Sequence, residues 1–154
     1  MVIFHGSGKI VKSPEIRIGK YHKDFYYGFY CTLYRGQAER WATRFTGNGY
    51  VNEYELGSVE GLKYLKFDGM TEEWLDFVVN CRLGNRHQYD IVEGPMANDT
   101  IFNFVQDFVD GKITRSALWE LAKFKKPTHQ ISFHTASALE TLHFIRGVEV
   151  HGKE

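Results

Sequence analysis

The sequence predicts an α+β fold that forms one domain over residues 1–154. Two kinds of segment predict this class. Short stretches with alternating apolar residues indicate strands, and stretches with apolar residues at positions i, i+3, i+4 and i+7 indicate amphipathic helices. The two are mixed without the regular strand–helix–strand repeat of a doubly wound sheet. A chain of this length can bury a hydrophobic core without disulfides or a structural metal.

The aromatic stretch at residues 24–32 is the centre of the predicted fold and runs directly into a helix. Its rings and Thr32 favour a strand. Gly28 in its middle weakens that strand and indicates either a bend or a ligand that lies against the backbone. Residues 35–45 are then predicted to form a helix whose buried stripe is Ala38, Trp41, Ala42 and Phe45.

Further strands are predicted on both sides of this unit. Residues 2–4 read as a buried strand that His5-Gly6-Ser7-Gly8 closes as a glycine-rich turn. Residues 11–18 form a strand or an extended arm, in which Pro14 disfavours an internal strand. The alternating segments at 50–56 and 62–67 predict two more strands, the first with one face exposed to water.

Three further helices are predicted in the second half of the chain. Thr71 is expected to cap the first, Asn98 or Asp99 the second, and Thr114 a third that ends at Phe124. The first two carry apolar stripes that we expect to be buried: Trp74, Phe77, Val78 and Cys81 in one, and Ile101, Phe104, Val105 and Phe108 in the other.

The last predicted elements are strands at residues 89–93, 129–135 and 144–150 and a short helix at 136–142. Strict alternation in the second of these strands puts Gln130, Ser132 and His134 on one face and the apolar residues Ile131 and Phe133 on the other. A polar face on a strand that is expected to be central requires a reason, and Gln130 is therefore a candidate site residue.

Composition excludes several classes of function. Nineteen basic residues balance nineteen acidic ones, so the chain lacks the positive field of a scaffold for nucleic acid, and only the local patch of Lys123, Lys125 and Lys126 could contact one. Two distant cysteines and an N-terminus without leader composition predict a cytoplasmic protein. No run of apolar residues predicts a membrane helix. The histidine spacings predict no metal site.

Three short motifs remain, and in their order they resemble the His-Tyr-Glu branch of the ADP-ribosyltransferase superfamily, the poly(ADP-ribose) polymerase and diphtheria-toxin type. In that family a first strand ends in His-Gly-Ser or His-Gly-Thr, as His5-Gly6-Ser7 does here. A Gly-x-Gly-hydrophobic-Tyr segment precedes a helix, and here Tyr26-Tyr27-Gly28-Phe29-Tyr30 keeps the second glycine and the tyrosine. The helix places Trp41 where the family has a second ring-stacking tyrosine.

A closer likeness is to an uncharacterised bacterial group of the same superfamily. Its members carry a similar Tyr-Asp-Ile-Val-x-Gly-Pro-x-Ala-Asn-Asp stretch, which runs here from Tyr89 to Asp99. The resemblance implies a split antiparallel β-sandwich with flanking helices.

The resemblance also implies that NAD is the substrate. In the family, the histidine, here His5, holds a ribose hydroxyl and the backbone of the next glycine, here Gly6, pairs with the nicotinamide amide. Ser7 and Gly28 belong to the same predicted binding segments. Tyr30 and Trp41 would stack on the nicotinamide ring, and Tyr30 is also a candidate catalytic residue.

The sequence departs from the family where a strand near the C-terminus should carry a glutamate, since Gln130 stands there. A neutral amide can accept a hydrogen bond from the ribose but supplies no charge to the ribosyl cation that forms when nicotinamide leaves. We therefore expect an acid from elsewhere to compensate, Asp99 first and Glu93 second. The alternative role of Asp99 is a helix cap.

The predicted function is mono-ADP-ribosyl transfer from NAD to a macromolecule, protein in preference to nucleic acid, with release of nicotinamide. Compact bacterial domains of this kind resemble toxins or effectors, which implies a restraining antitoxin or immunity partner. The alternatives are an NAD glycohydrolase and a catalytically silent module that binds NAD or ADP-ribose.

Overall fold

The fold is built from two sheets with helices packed against them. The computed structural model describes residues 1–19, 23–45, 47–96, 99–122 and 128–152, and for residues 99–102 the backbone alone. The strands in this part of the chain are β1 Val2–Ser7, β2 Phe29–Cys31, β3 Asn48–Leu56, β4 Tyr64–Lys66, β5 Ile91–Gly94, β6 Gln130–Phe133 and β7 Leu142–His151. The helices are α1 Arg35–Ala42, α2 Glu72–Arg82, α3 Asp99–Val109, α4 Arg115–Ala122 and α5 Ala136–Leu139. The predicted α+β class is confirmed.

One sheet has three strands in the order β1-β3-β7 and is antiparallel throughout. The other has four strands in the order β2-β6-β5-β4, and its β4 and β5 run parallel. The prediction of purely antiparallel sheets is therefore wrong for this pair. The reason is that α2 lies between the two strands in the chain, and a crossover of this kind returns the chain in its original direction.

The two sheets meet at a bridge between β1 and the residue that follows β2. The Phe4 amide donates to the Thr32 carbonyl at 2.9 Å, and the Thr32 amide donates back to the Phe4 carbonyl at 2.8 Å. The strand with the His-Gly-Ser motif is thereby fixed beside the strand with Tyr30. This joint positions the candidate site.

Alternation along the four-stranded sheet divides the core into two clusters. Phe29, Ile91, Ile131 and Phe133 pack with Ile3 and Tyr54 of the three-stranded sheet. The opposite face packs against α2, α3 and α4 through a second set of side chains: Tyr30, Val92, Trp74, Val78, Val105 and Leu118. The face a residue takes on β2, β5 or β6 therefore decides which cluster it contacts.

Two predicted helix starts are confirmed by their caps. The Thr71 hydroxyl oxygen accepts from the Trp74 amide at 3.2 Å, and the Thr114 hydroxyl oxygen accepts from the Ala117 amide at 3.1 Å. Both predicted N-cap threonines satisfy amides that have no partner inside the helix. The predicted cap Asn98, the lysine patch and the predicted helix end at Phe124 lie outside the described residues.

Three other local predictions are corrected. His5-Gly6-Ser7 belongs to β1 and pairs with β3, so it is strand and not turn. Residues 24–27 form a turn in which Tyr26 has φ 75°, a left-handed conformation that no strand contains. The first helix ends at Ala42, and Phe45 is 88% exposed, because Gly47 at φ 76° turns the chain there into β3.

None of the helices in the described part of the chain is long and apolar enough to cross a membrane.

Candidate functional site

His5 lies on β1 at the joint between the sheets. Its Nδ1 is 2.6 Å from the carbonyl oxygen of Tyr30. A carbonyl oxygen only accepts hydrogen bonds, so Nδ1 carries the proton and Nε2 of the neutral ring is an acceptor. Burial lowers the pKa of His5 to about 4, which keeps the ring neutral at pH 7. The ring stacks on Phe29 with 4.1 Å between centroids.

The Nε2 atom of His5 keeps contact with solvent. Among the described residues no buried side-chain nitrogen or oxygen lacks a hydrogen-bond partner, and Nε2 has no such partner. It is therefore an acceptor that no described protein group occupies, on a half-buried ring whose tautomer is fixed by Tyr30.

Gly6 sets the distance between β1 and α1. A Cβ at this position would lie 2.1 Å from the Ala38 carbonyl oxygen and 2.9 Å from Trp41 Cβ. Glycine is needed here because α1 rests directly on the strand, and this contact puts half-buried Trp41 beside the His-Gly-Ser motif. The Ser7 hydroxyl oxygen accepts from the Lys9 amide at 3.3 Å.

Tyr30 is 8% exposed, and the chain itself occupies its hydroxyl. The hydroxyl donates to the Tyr26 carbonyl at 2.5 Å and accepts from the Phe25 amide at 3.1 Å. Burial raises the pKa of the Tyr30 hydroxyl well above its usual range, so it stays protonated. Lys23 Nζ lies 5.3 Å from the ring centroid, within reach of a cation–π contact.

Gln130 begins β6 and is 4% exposed. Its Nε2 donates to Asp24 Oδ2 at 3.2 Å and to the Pro95 carbonyl at 3.3 Å. Both partners only accept, which fixes the orientation of the amide and leaves Oε1 as an acceptor. Oε1 also keeps contact with solvent, because it has no partner and the described residues contain no buried unpartnered side-chain oxygen.

Asp24 is a candidate site side chain that the sequence reasoning missed. Its Oδ1 accepts from Arg82 Nη2 at 2.5 Å and from Nε at 3.0 Å, while its Oδ2 accepts from Gln130. Both side chains of this ion pair are covered, at 9% exposure for Asp24 and 5% for Arg82. Arg82 is 58 residues away in the chain and Gln130 is 106 residues away, and no local pattern relates residues at such separations.

The acids expected to compensate for Gln130 lie elsewhere. Glu93 pairs in register with Ile131, so its side chain is on the opposite face of the sheet from Gln130. The structure therefore does not bring Glu93, the second of the acids expected to compensate, next to Gln130. Asp99 begins α3, and its side chain lies outside the described part of the structure.

Gly28 faces the protein and not an open cleft. A Cβ there would lie 2.8 Å from the His134 ring and 2.9 Å from the Phe133 carbonyl oxygen. The close approach of another segment of the protein accounts for this glycine, which was neither of the two predicted interpretations, a bend or a ligand against the backbone.

Glu93 instead holds the start of β6 in place. It accepts from the Tyr64 hydroxyl and from His129 Nε2 at 2.8 Å, and His129 Nδ1 accepts from the Leu33 amide at 3.1 Å. The hydrogen bond from His129, followed by that from Tyr64, lowers the pKa of Glu93. The carboxylate therefore stabilises the folded state while it is ionised.

This pair gives a prediction for stability against pH. Because the pKa of Glu93 is lower in the folded than in the unfolded chain, its stabilisation is present above the unfolded value of about 4.3 and is lost as the pH falls through the folded value. Glu93→Gln should lower the free energy of unfolding at pH 7 by about 1–3 kcal/mol and flatten its decline below pH 5. Urea unfolding across pH 3–7 measures both. Glu60→Gln, on an exposed loop, should match the parent chain, and equal acid sensitivity in Glu93→Gln would contradict the prediction.

The family described as protein of unknown function (DUF3990) matches residues 1–144 of the chain. No curated protein matches the chain, and no solved structure does.

Proposed function

Since this chain belongs to the DUF3990 family, whose description gives no activity, we propose a function from its own side chains. It is an NAD-dependent mono-ADP-ribosyltransferase that transfers ADP-ribose to a macromolecule and releases nicotinamide. The order of the three sequence motifs supports this proposal, and so does the contact between two of them at the joint of the sheets.

One observation carries the proposal: two accessible acceptors with fixed orientation, His5 Nε2 and Gln130 Oε1. The nicotinamide ribose of NAD presents two hydroxyl groups, and the proposal assigns one to each acceptor. The His5 ring stacks on Phe29, on the face of the sheet opposite Gln130, so the ribose would have to bridge the edge of β2. Tyr30 connects the two positions, because its carbonyl holds His5 and its strand pairs with β6, which begins at Gln130. Acceptors held by other protein groups need no reorganisation when the sugar binds.

Asp24 supplies the negative charge that Gln130 lacks. When the bond between the ribose C1′ and the nicotinamide nitrogen breaks, its electron pair leaves with nicotinamide and the ribosyl group becomes cationic. A carboxylate next to the residue that holds the ribose stabilises this charge. The acceptor then bonds to C1′ and loses its proton. Asp24 orients Gln130 through a hydrogen bond, and so it acts as a positioning residue.

The nicotinamide ring of NAD is itself cationic, and Tyr30 has a cation over its face in this structure, the Lys23 ammonium. We propose that the pyridinium ring replaces the ammonium over Tyr30. Trp41 lies on α1, which packs against β1, and it makes no ring contact with Tyr30 in the described part of the structure. A cation over an aromatic face contributes about 0.5–2 kcal/mol.

The acceptor, protein in preference to nucleic acid, is part of the same proposal. A domain that modifies a macromolecule in the cytoplasm of its host would act as a toxin or effector, and an antitoxin or immunity protein would then restrain it.

Incubation with NAD labelled in the adenylate half tests the proposal. Label on a macromolecule, together with free nicotinamide, is the expected result. Free labelled ADP-ribose alone would establish the glycohydrolase instead, and saturable binding without turnover would establish a silent binding module. No thermal shift with NAD, nicotinamide or ADP-ribose would overturn all three, because ligand at about a hundred times its Kd stabilises a protein by roughly 2.7 kcal/mol.

His5→Asn isolates the proposed ribose contact. The asparagine amide can still donate to the Tyr30 carbonyl, but the Nε2 acceptor is lost. We expect the Kd for NAD to rise about tenfold, the equivalent of one lost hydrogen bond at the upper end of the usual range, with some fall in melting temperature because the ring that stacks on Phe29 is removed. Isothermal titration calorimetry measures this. His143→Asn, at an exposed histidine on β7, is the matched control, and an unchanged Kd in His5→Asn would remove His5 from the site.

A further inference from the structure

A cavity of about 790 Å³ lies at the end of the four-stranded sheet where β6 finishes and β4 and β5 begin. Aromatic rings form much of its lining: Tyr26, Tyr27, Tyr89, His87 and His134. Its size is within the usual range for small-molecule sites, about 300–1,000 Å³. None of His5, Tyr30, Trp41 and Gln130 lines it, so the cavity is distinct from the side chains of the proposed NAD site.

Hydrogen bonds within the protein hold two histidines of the cavity wall, His87 and His134, in place. His87 Nε2 donates to the Phe25 carbonyl at 2.9 Å, and its Nδ1 accepts from the Tyr89 amide at 3.0 Å. His134 Nδ1 donates to the Tyr27 carbonyl at 2.7 Å, and its Nε2 lies 2.7 Å from Ser132 Oγ. All four ring nitrogens are therefore engaged within the protein, and the histidines can present only their ring surfaces to a ligand. A pre-formed wall reduces the cost of binding.

The charge in the cavity is positive. Lys63 and Arg86 line it, and none of the described lining residues carries a carboxylate. Arg86 makes no ion pair with any residue that the structure describes. Asp90 lies near Lys63, but its Oδ1 accepts from the Thr135 hydroxyl at 2.6 Å and its Oδ2 from the Lys63 amide at 2.8 Å. An anionic ligand would therefore neutralise the positive charges of Lys63 and Arg86, whereas a neutral ligand would not.

We propose that this cavity binds a nucleoside monophosphate. The base would stack on the tyrosine rings, since the face of any base can stack on an aromatic side chain. The phosphate would lie against Arg86, whose planar guanidinium matches phosphate oxygens in pairs, and against Lys63. Gln88 supplies an amide that can both donate to and accept from the edge of a base. Neither an inorganic anion nor a neutral aromatic compound would use both the rings and the cations.

Isothermal titration calorimetry with AMP, GMP, CMP and UMP tests the proposal, with adenosine and inorganic phosphate as probes of each half alone. We expect at least one nucleotide to bind at least tenfold more tightly than either probe. Arg86→Gln should weaken that binding at least tenfold and leave adenosine unaffected. Arg40→Gln, at an exposed arginine on α1, is the matched control. Equal affinity for nucleotide and nucleoside, or an unchanged affinity in Arg86→Gln, would overturn the proposal.

The same variants separate this site from the proposed NAD site. Nucleotide binding that is weakened by Arg86→Gln and retained by His5→Asn is expected for the cavity, whatever the result with NAD. Nucleotide binding that is weakened by His5→Asn and retained by Arg86→Gln would assign the nucleotide to the NAD site and overturn the proposal. Lys63→Gln, at an exposed residue, repeats the charge test if Arg86→Gln does not fold.

Discussion

Asp24→Asn is expected to lower the rate of ADP-ribose transfer about 10²–10³-fold, the usual effect of removing an electrostatic contribution to a transition state. The affinity for NAD should change only a few-fold, because positive charge on the ribose develops fully only as nicotinamide leaves. A loss in kcat with KM nearly unchanged distinguishes this effect from a general loss of the site. Single-turnover assays with labelled NAD measure the two quantities separately.

The same substitution affects stability, because it removes the Asp24 charge from its buried ion pair with Arg82. Breaking a buried ion pair in this way costs about 3–5 kcal/mol. The double variant Asp24→Asn/Arg82→Met removes both charges and should recover most of that loss, since uncharged replacements of buried pairs are often tolerated. We expect it to fold and still to lack transfer. Transfer at the parent rate in a folded double variant would show that the charge of Asp24 is not used.

Gly6→Ala is expected to cause a large loss of stability although it adds only a single methyl group. Its Cβ would lie 2.1 Å from the Ala38 carbonyl oxygen and 2.8 Å from the Ala42 backbone nitrogen. These are backbone atoms of α1, so no side-chain rotation relieves the overlap and the helix must move away from β1. Overpacking of this severity costs about 3 kcal/mol, which lowers the melting temperature by roughly 6–12 °C for a chain of this size.

Gly8→Ala is the matched control for that prediction. No atom lies within 4 Å of a Cβ at Gly8, and its backbone is not among the left-handed glycines of the described residues. The same change of one methyl group should therefore leave the melting temperature within about 2 °C. Thermal unfolding followed by circular dichroism compares the two. A Gly6→Ala chain as stable as Gly8→Ala would contradict the close packing of α1 on β1.

Local rules accounted for much of the secondary structure. The helix that follows Thr71 could be predicted because a hydroxyl at an N-cap and apolar residues on one face act within a few residues of each other. The alternation that put Gln130, Ser132 and His134 on one face also depends only on strand geometry, and the structure has Ser132 and His134 in contact. Where a long-range contact decides the outcome, as for the strand that contains His5, the local prediction of a turn was wrong.

The candidate site shows the same difference between what local patterns predict and what long-range contacts decide. His5, Tyr30 and Gln130 were found because short motifs mark them along the chain. Asp24 was missed, because its importance depends on a carboxylate that meets a guanidinium and an amide from distant elements. Glu93 was named as a second compensating acid with no face assigned to it, because the pairing of β5 with β6 fixes its orientation and that register cannot be read from five residues.

The sequence by itself determined the α+β class, most of the helix and strand positions, and the order of the motifs that suggest NAD chemistry. The periodicity of apolar residues and the presence of capping residues are local properties, because they depend only on residues a few positions apart in the chain. Only the tertiary structure decided which carboxylate lies beside Gln130, which tautomer His5 adopts, and that a basic, aromatic cavity exists at the far end of β6. These depend on hydrogen bonds and charges between residues that the chain brings together only when the two sheets join.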